Sequence, residues 1–226
     1  MILSESIEDY LKAIYTLQEK ESPVSTSALA ARLQVAPASV TQMLKKLDLM
    51  KPHLVRYKKH HGVELTPHGE KIAVEVIRHH RLIELFLQQA LGMSWDEVDR
   101  EAERLEHVVS PHLADRMAHV LGNPQFDPHG DPIPQKDGSF PVSDLMCLLK
   151  LEAGQSGVVR RVRDADPELL RYVAGLGIVP GSQIHVVDKG PFDGPIHVRL
   201  HPANGQEQYA LGQTVASQIF VELVAG

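Results

Sequence analysis

Apolar residues recur every three to four positions through the first half of the chain, and this spacing predicts amphipathic α-helices. The first predicted helix covers residues 4–20, with Tyr10 and Ile14 on its apolar face. Two shorter helices are predicted at residues 25–33 and 38–50, separated by a QVAP turn. Two short helices joined by three or four residues are typical of a helix-turn-helix.

Two β-prone runs follow these helices, HLVRY and GVEL, with a basic turn between them. A hairpin that directly follows a helix-turn-helix indicates the wing of a winged DNA-binding domain. Thr66 and Pro67 then have the residue types preferred at the N-cap and the first position of a helix. A long amphipathic pattern continues from there to Ala90.

Three helical patterns in the middle of the chain have enough apolar surface to pair two subunits. The first is the long helix that begins at Pro67; the second has Asp96 as its predicted N-cap, and the third begins at Ser110 and Pro111. A repressor that reads a palindromic site needs two-fold symmetry, so we predict a helical dimerisation domain and a homodimer. Residues 122–142 are dense in Pro, Gly and Asp, which predicts a linker.

Short strands replace helices from Ser143 onward. The runs GVVRRV, SQIHVVD, PIHVRL and QIFVEL predict strands, and DPELLRYVAGLG predicts a helix between the first two. This pattern is typical of a small SH3-like β-barrel. The predicted fold class is α+β, with a winged helix-turn-helix in residues 1–72, a helical dimerisation and metal-binding domain with its linker in residues 73–142, and an SH3-like domain in residues 143–226.

The composition indicates a cytoplasmic protein that does not enter a membrane. The chain has 226 residues, of which 43% are hydrophobic, and a single cysteine, Cys147, so it has no internal disulfide. It has no apolar run near the roughly 18 residues of a membrane helix and no basic-then-apolar leader.

The charges are unevenly distributed. A net charge of −6 argues against a uniformly basic nucleic-acid binder. Residues 36–61 nevertheless hold six Lys or Arg against one acid, Asp48, and they form a local basic patch over the predicted helix-turn-helix and wing.

The second helix of the helix-turn-helix has side chains suited to reading DNA. Ser39, Thr41 and Gln42 can hydrogen-bond bases, and Lys45 and Lys46 can contact phosphates. The alternative is an ordinary amphipathic helix pair, which is common in any helical domain. With the wing tip included, the predicted DNA contacts are Ser39, Thr41, Gln42, Lys45, Lys46, Lys58 and Lys59.

Candidate metal ligands lie between Arg78 and His107. His80 and Glu84 are four residues apart, and Glu103, Glu106 and His107 have i, i+3 and i+4 spacing, so each set shares one helix face. Imidazole nitrogens mixed with carboxylate oxygens suit a divalent ion such as Mn or Fe. The alternative is a solvated charged face. A DPHG segment in the predicted linker offers Asp127 and His129, which could equally form a plain turn.

At this point the chain resembles the family of metal-dependent repressors that includes the diphtheria toxin repressor and the manganese transport regulator. The resemblance covers nearly the whole length. It implies a homodimer that binds operator DNA only when a divalent metal is bound. The blocks that carry it are IEDYLKAIYTL, VAPASVTQMLKKLD, GVELTPHGEKIA, RHHRLIELFL, EAERLEHVVS, DPHGDPIP and ELLRYVAGLGIVPGS.

The resemblance implies two ligand shells. One contains His80, Glu103, Glu106 and His107, closed by Asp9 from the first helix, and Lys12 stands where manganese-type members have a further acid. The second contains Glu84, Asp127 and His129, with a third-domain acid, Asp166 or Glu168.

Oxygen replaces sulfur at several of these positions. The family often has cysteine where Asp127 stands, and iron-type members have cysteine or methionine where Glu103 and Asp9 stand. Hard oxygen donors favour Mn(II), with Fe(II) as the alternative and other divalent ions binding in vitro.

Two other functions fit parts of the sequence. A manganese-dependent metallohydrolase could use the same ligands, although the chain has no HExxH or similar catalytic spacing. A metal-independent winged-helix interaction protein would use the acids only as a solvated face.

Overall fold

The N-terminal elements of the computed structural model follow the predicted order. The structure describes residues 3–163, 166–200 and 207–224. No helix within those ranges is long and apolar enough to cross a membrane. The first five elements are α1 (Glu5–Gln18), α2 (Thr26–Leu33), α3 (Pro37–Leu49), β1 (Val55–Lys58) and β2 (Gly62–Leu65).

Local chemistry sets the ends of the two helix-turn-helix elements. The Ser25 hydroxyl accepts a hydrogen bond from the Ala28 amide at 3.1 Å and caps α2. Gln34 ends α2 in the left-handed conformation, with φ 54°. Pro37 occupies the first turn of α3, where its missing N–H leaves no hydrogen bond unmade.

The wing is held against the helices by a short backbone bridge. The amides of Val24 and Val63 each donate to the other residue's carbonyl at 2.9 Å. Gly62 is required here, because its φ is +109° and an added Cβ would lie 2.5 Å from the Val24 oxygen. These elements confirm the winged helix-turn-helix.

Three helices form the middle of the chain: α4 (Pro67–Leu91), α5 (Val98–Leu105) and α6 (Pro111–Val120). Thr66 and Ser110 cap α4 and α6 as predicted. The prediction that Asp96 caps α5 is wrong. Glu97 holds the N-cap position without a side-chain bond, and Asp96 instead receives a 2.9 Å hydrogen bond from Arg171 of the third domain.

The C-terminal part is a small antiparallel sheet with two helices. All four predicted strands are present, and two more join them, so that the described strands have the order β3-β8-β4-β5-β6-β7. The predicted helix is α7 (Pro167–Gly175), and a short α8 (Gln213–Ala216) precedes the last strand. The strands are β3 (Met146–Cys147), β4 (Ser156–Val162), β5 (Gln183–Lys189), β6 (Ile196–Leu200), β7 (Glu207–Leu211) and β8 (Ile219–Leu223).

Separate apolar cores lie in the three parts of the chain, and α4 contributes to three of them, in two of these parts. Ala73, near its start, packs into the core of the helix-turn-helix. Leu82 and Ile83, further along, pack into two small cores with α5 and α6. One long helix therefore joins the DNA-binding part to the middle part.

The predicted linker is ordered and partly buried between the helices and the barrel. Asp127, His129 and Asp131 are all buried. Arg78 donates to the Pro134 carbonyl at 2.8 Å, and Arg81 donates to the Pro132 carbonyl at 2.5 Å, so α4 holds this segment in place.

Candidate metal centre

The inward face of α4 presents the first two predicted ligands. His80 and Glu84 are one turn apart and both buried. The His80 Nε2 lies 3.5 Å from Glu84 Oε1 and 3.4 Å from Asp99 Oδ1, while its Nδ1 contacts the Glu106 carboxylate. His80 therefore stands between two groups of acids.

A first ligand group joins the DNA-binding part to α5. Ligand atoms of Asp9, Glu106 and His107 lie within 4.8 Å of one another. The His107 Nε2 is 3.0 Å from Asp9 Oδ1, and its Nδ1 is 2.6 Å from Glu8 Oε2. Two consecutive acids of α1 thus contact one imidazole beyond the end of α5.

A second group contains His80, Glu103 and a residue that the sequence reading missed, Asp99. Asp99 and Glu103 are four apart on α5, so the spacing that singled out His80 and Glu84 could have identified them too. The single shell predicted from the resemblance is therefore divided, with His80 and Glu103 in one group and Asp9, Glu106 and His107 in the other.

The Lys12 ammonium lies at the point where these two groups meet. Its Nζ is 2.9 Å from Glu103 Oε1, 2.8 Å from Glu106 Oε2 and 3.1 Å from His80 Nδ1. These are charge-assisted hydrogen-bond distances, and the lysine side chain is only 15% exposed.

The third group is the constellation predicted from the resemblance: Glu84, Asp127 and His129. All three are buried. The His129 Nε2 donates to the Trp95 carbonyl at 2.7 Å, which requires a proton on Nε2. In the neutral ring the lone pair is then on Nδ1, which lies 3.6 Å from Glu84 Oε1.

The surroundings of Glu84 fit a bound cation. Its side chain is fully buried, and within the described ranges neither carboxylate oxygen accepts a hydrogen bond. An ionised carboxylate in such a place is strongly destabilising unless a cation neutralises it. A divalent ion among Glu84, Asp127 and His129 would supply that charge, and all of the donor atoms are hard oxygens or imidazole nitrogens.

Several protonation equilibria are shifted in these groups. Burial and Lys12 lower the pKa of His80, but Glu84, Asp99 and Glu106 outweigh them and raise it well above 6.5. Burial lowers the pKa of His107, while the hydrogen bond to Glu8 and the charges of Glu106 and Asp9 raise it overall.

The pKa values of Lys12 and Glu106 shift in opposite directions, and both shifts favour the charged form of the side chain. Burial lowers the pKa of Lys12, but the carboxylates of Glu106 and Glu103 raise it overall. Burial raises the pKa of Glu106, but the hydrogen bond from His80 and the Lys12 charge lower it overall.

The third-domain acids lie elsewhere. Asp166 caps α7, accepting hydrogen bonds from the Glu168 amide at 2.9 Å and the Leu169 amide at 3.4 Å. Both acids are exposed, and neither belongs to the three ligand groups found among the described residues.

The barrel instead contacts the DPHG segment through its first long strand. Arg161 of β4 forms a 2.6 Å ion pair with Asp131, and the Val162 amide donates to the His129 carbonyl at 2.8 Å. Asp127 Oδ1 accepts from the amides of His129 and Asp131, both at 2.9 Å. The Trp95 ring stacks on His129 at 5.6 Å.

The predicted DNA-contacting residues lie on α3 and the wing, and all but Thr41 are exposed. Thr41 is half-buried and its hydroxyl donates to the Pro37 carbonyl at 3.0 Å, so within this conformation the hydroxyl supports the helix. The others are exposed: Ser39, Gln42, Lys45 and Lys46 on α3, and Lys58 and Lys59 at the end of β1 and the turn.

Comparison with known families matches nearly the whole chain in three consecutive segments. Residues 2–63 match "Iron dependent repressor, N-terminal DNA binding domain". Residues 66–135 match "Iron dependent repressor, metal binding and dimerisation domain". Residues 146–223 match the FeoA domain.

Individual proteins extend this similarity. The iron-dependent repressor IdeR of Mycobacterium tuberculosis is 32% identical over 98% of this chain and 99% of its own length. The HTH-type transcriptional regulator MntR of Geobacillus kaustophilus is 38% identical over 51% of this chain and 80% of its own. A solved manganese-dependent transcriptional repressor in complex with manganese is 41% identical, with a TM-score of 0.88 over 96% of this chain and all of the other.

Proposed function

We propose, because this chain belongs to the family of metal-dependent transcriptional repressors, that it binds operator DNA as a homodimer when Mn(II) occupies its ligand groups. Members of this family are DNA-binding proteins and not enzymes, which removes the metallohydrolase alternative. A protein with this role shares a compartment with chromosomal DNA, which we take to be the cytoplasm.

The observation that carries the proposal is the contact between α1 and the end of α5. Glu8 and Asp9 belong to the DNA-binding part, whereas Glu106 and His107 belong to the metal-binding part, yet their ligand atoms meet. A cation held by Asp9, Glu106 and His107 ties these two parts together. This tie restricts how the helix-turn-helix moves relative to the dimerisation helices.

Restriction of that motion favours DNA binding by a population shift. Two recognition helices of a dimer must lie about one helical turn of DNA apart, roughly 34–36 Å, to enter successive major grooves. Without a cation at Asp9, Glu106 and His107, this spacing is one of many relative positions that the two recognition helices adopt. Metal and DNA affinities are then reciprocally coupled, each raising the other by the same factor.

The second tie is the buried group of Glu84, Asp127 and His129. Its residues come from α4 and the DPHG segment, and the segment in turn contacts the barrel. A cation here neutralises Glu84 and fixes the segment against α4. We also predict that a third-domain acid, Asp166 or Glu168, completes this shell. This prediction requires α7 to move from the position described above.

The donor atoms favour Mn(II) over Fe(II). Asp9 and Asp127 supply oxygen where sulfur would favour softer ions. Other divalent ions bind such oxygen and nitrogen sites in vitro, so preference is measured as the metal concentration that half-saturates DNA binding.

A DNA-binding assay tests the proposal. Duplexes selected from a random library on the Mn(II)-loaded protein provide an operator-like probe, and anisotropy then measures its affinity in Mn(II), Fe(II) and EDTA. We expect selected sequences to be palindromic and affinity to fall by roughly 5- to 150-fold in EDTA, the usual range of such coupling. Equal affinity in EDTA would instead support the metal-independent winged-helix protein.

A matched pair of variants on α1 separates metal control from DNA contact. Asp9→Asn removes a ligand and is expected to lower affinity in Mn(II) about tenfold, while leaving affinity in EDTA unchanged. Glu5→Gln removes an equal charge from an exposed position of the same helix and should behave as wild type. Identical losses in both variants would indicate a general charge effect.

A further inference from the structure

The Lys12 side chain occupies the centre that the family resemblance would give to a divalent ion. Its ammonium lies within 3.1 Å of atoms from His80, Glu103 and Glu106, all of which were predicted ligands of one shell. An ammonium held by two carboxylates and next to an imidazole has an environment much like that of a bound cation.

A divalent ion and this ammonium exclude each other at that place. Both need the same carboxylate oxygens, and two positive charges a few ångströms apart repel strongly in a partly buried site. The Lys12 side chain is 15% exposed and that of Glu106 is 0% exposed, so little water screens the repulsion.

Lys12 is also placed to hold domains together. It lies on α1, three residues after Asp9, while its three partners lie on α4 and α5 or directly after α5. Its hydrogen bonds therefore connect the DNA-binding part to the metal-binding part, as a metal ion would.

We propose that Lys12 is a tethered cation that takes the place of one divalent ion between His80, Glu103 and Glu106. The chain then holds metal only at Asp9–Glu106–His107 and at Glu84–Asp127–His129. Metal binding at those two groups rests on the proposed function, but the tether itself does not.

The Lys12 tether changes how the contact between α1 and α4 responds to metal. Part of the connection between α1 and α4 exists before any metal binds, because Lys12 neutralises the buried Glu106. An ion at Asp9–Glu106–His107 adds to this connection, and Glu106 is then shared between Lys12 and that ion, with Oε1 lying 3.5 Å from the His107 Nε2.

Metal counting tests the exclusion. The full-length protein is dialysed to equilibrium against Mn(II), and bound manganese is measured by atomic absorption. Lys12→Glu replaces the cation with a ligand and should bind one Mn(II) per subunit more than wild type. Lys12→Arg keeps the charge and should bind the wild-type number. Equal numbers for Lys12→Glu and wild type overturn the proposal.

Thermal unfolding in EDTA tests the tether without any metal. Lys12→Met leaves Glu106 buried without its cation and should lower Tm by roughly 5–10 °C. Lys20→Met, at an exposed position just beyond the same helix, should change Tm by no more than about 1 °C. Equal Tm values for the two variants overturn the tether.

Metal counting and thermal unfolding together separate this proposal from the proposed function. DNA plays no part in either measurement, so an operator that binds equally well in EDTA leaves both results interpretable. If wild type binds no Mn(II) but Lys12→Met still loses stability, the tether stands and metal control fails. If Lys12→Met unfolds at room temperature, Lys12→Arg must still fold, and its failure to do so overturns the proposal.

Discussion

His80 illustrates how much one side chain decides in this protein. Its two ring nitrogens face different acids, Glu106 on one side and Glu84 with Asp99 on the other. A protonated ring satisfies both sides at once. His107 likewise faces Glu8 and Asp9, and a metal ion bound at His107 must displace the ring proton, so protons and metal compete there.

The competition gives a pH dependence with opposite signs for metal affinity and metal-free stability. The pKa of His80 is raised well above 6.5 by neighbouring acids, and that of His107 is raised as well. Each displaced proton makes Mn(II) affinity rise about tenfold per pH unit while the group is still protonated. In the metal-free protein, the stability due to these histidines is full below pH 6.5 and is lost as pH rises through the raised pKa values.

Calorimetry at pH 6.5 and 7.5 measures the first effect, with two buffers of different ionisation enthalpy to count released protons. Urea unfolding in EDTA across the same range measures the second. A metal affinity that is flat over this range, with no proton release, would show that His107 is not protonated before metal binds.

Residue types and helical spacing singled out five of the candidate ligands, and the family resemblance supplied the others; neither predicted how all of them group. His80 and Glu84 share a face because a helix fixes i, i+4 geometry locally. Asp99 has the same relation to Glu103 and could have been included. Helical spacing could not have placed Lys12 among these acids, because it is 68 residues from His80 and 91 from Glu103; only the family resemblance put it beside the shell.

Among the elements, α4 is the frame to which the other parts attach. It begins against the wing, where the Thr66 hydroxyl donates to the His53 carbonyl at 2.7 Å and accepts from the Gly69 amide at 3.1 Å. It ends among the small cores of the middle part. The predicted domain boundary between residues 72 and 73, which we retain as a proposal, falls inside this helix. Any motion of the DNA-binding part relative to the middle part must therefore either bend α4 or move α4 as a rigid body.

Close packing at the start of α4 predicts opposite effects for two glycine substitutions in helices. An added Cβ at Gly69 would lie 2.0 Å from the Leu54 carbonyl oxygen, so Gly69→Ala should destabilise the protein by about 1–3 kcal/mol. An added Cβ at Gly175, in α7, meets nothing within 4 Å, so Gly175→Ala should stabilise by about 0.5–1 kcal/mol. Urea denaturation of both variants measures the difference, and equal effects would contradict this packing.

The strands show where periodicity is a weak guide. Four of the described barrel strands were predicted from runs of β-branched residues. The two that were missed, β3 and β7, are a two-residue pair and the mixed sequence EQYAL, and neither has such a run. They are strands because neighbouring strands offer hydrogen-bond partners, which sequence alone does not display.

At the scale of the whole molecule, the barrel supports the buried ligand group from outside. Arg161 holds Asp131, and the backbone of Asp131 donates to the Asp127 ligand. Gly130 permits this contact, because an added Cβ would lie 1.8 Å from the Arg160 carbonyl oxygen. The Arg171–Asp96 ion pair forms a second attachment between α7 and the loop before α5.

This support predicts that a barrel residue outside the ligand groups affects metal binding. Arg161→Met removes the closer of the two arginines that pair with the buried Asp131, Arg161 at 2.6 Å and Arg81 at 3.6 Å. It should weaken Mn(II) binding at the Glu84 group by about 10-fold, because groups that support metal ligands commonly affect metal affinity. Arg160→Met removes only a surface ion pair with Glu222 and should leave affinity unchanged. Titrations of Mn(II) in both variants, with hydrogen exchange of residues 127–133, measure the effect. Equal affinities would mean that the barrel docks without influencing the site.

The sequence by itself determined most of the elements, the fold class and the residue types of the candidate ligands. Helix spacing, caps and β-branched runs act over a few residues, and the preference for oxygen and nitrogen donors follows from residue type alone. Each of these depends on local geometry, which a pattern of side chains specifies directly.

Only the tertiary structure decided which candidate ligands lie together. It divided one predicted shell at Lys12, added Asp99, used Asp166 as a helix cap and turned a predicted linker into a buried segment held by Arg81 and Arg161. The reason is physical: these contacts join residues distant in sequence, and their positions follow from how the apolar faces of α1, α4, α5 and the barrel pack together.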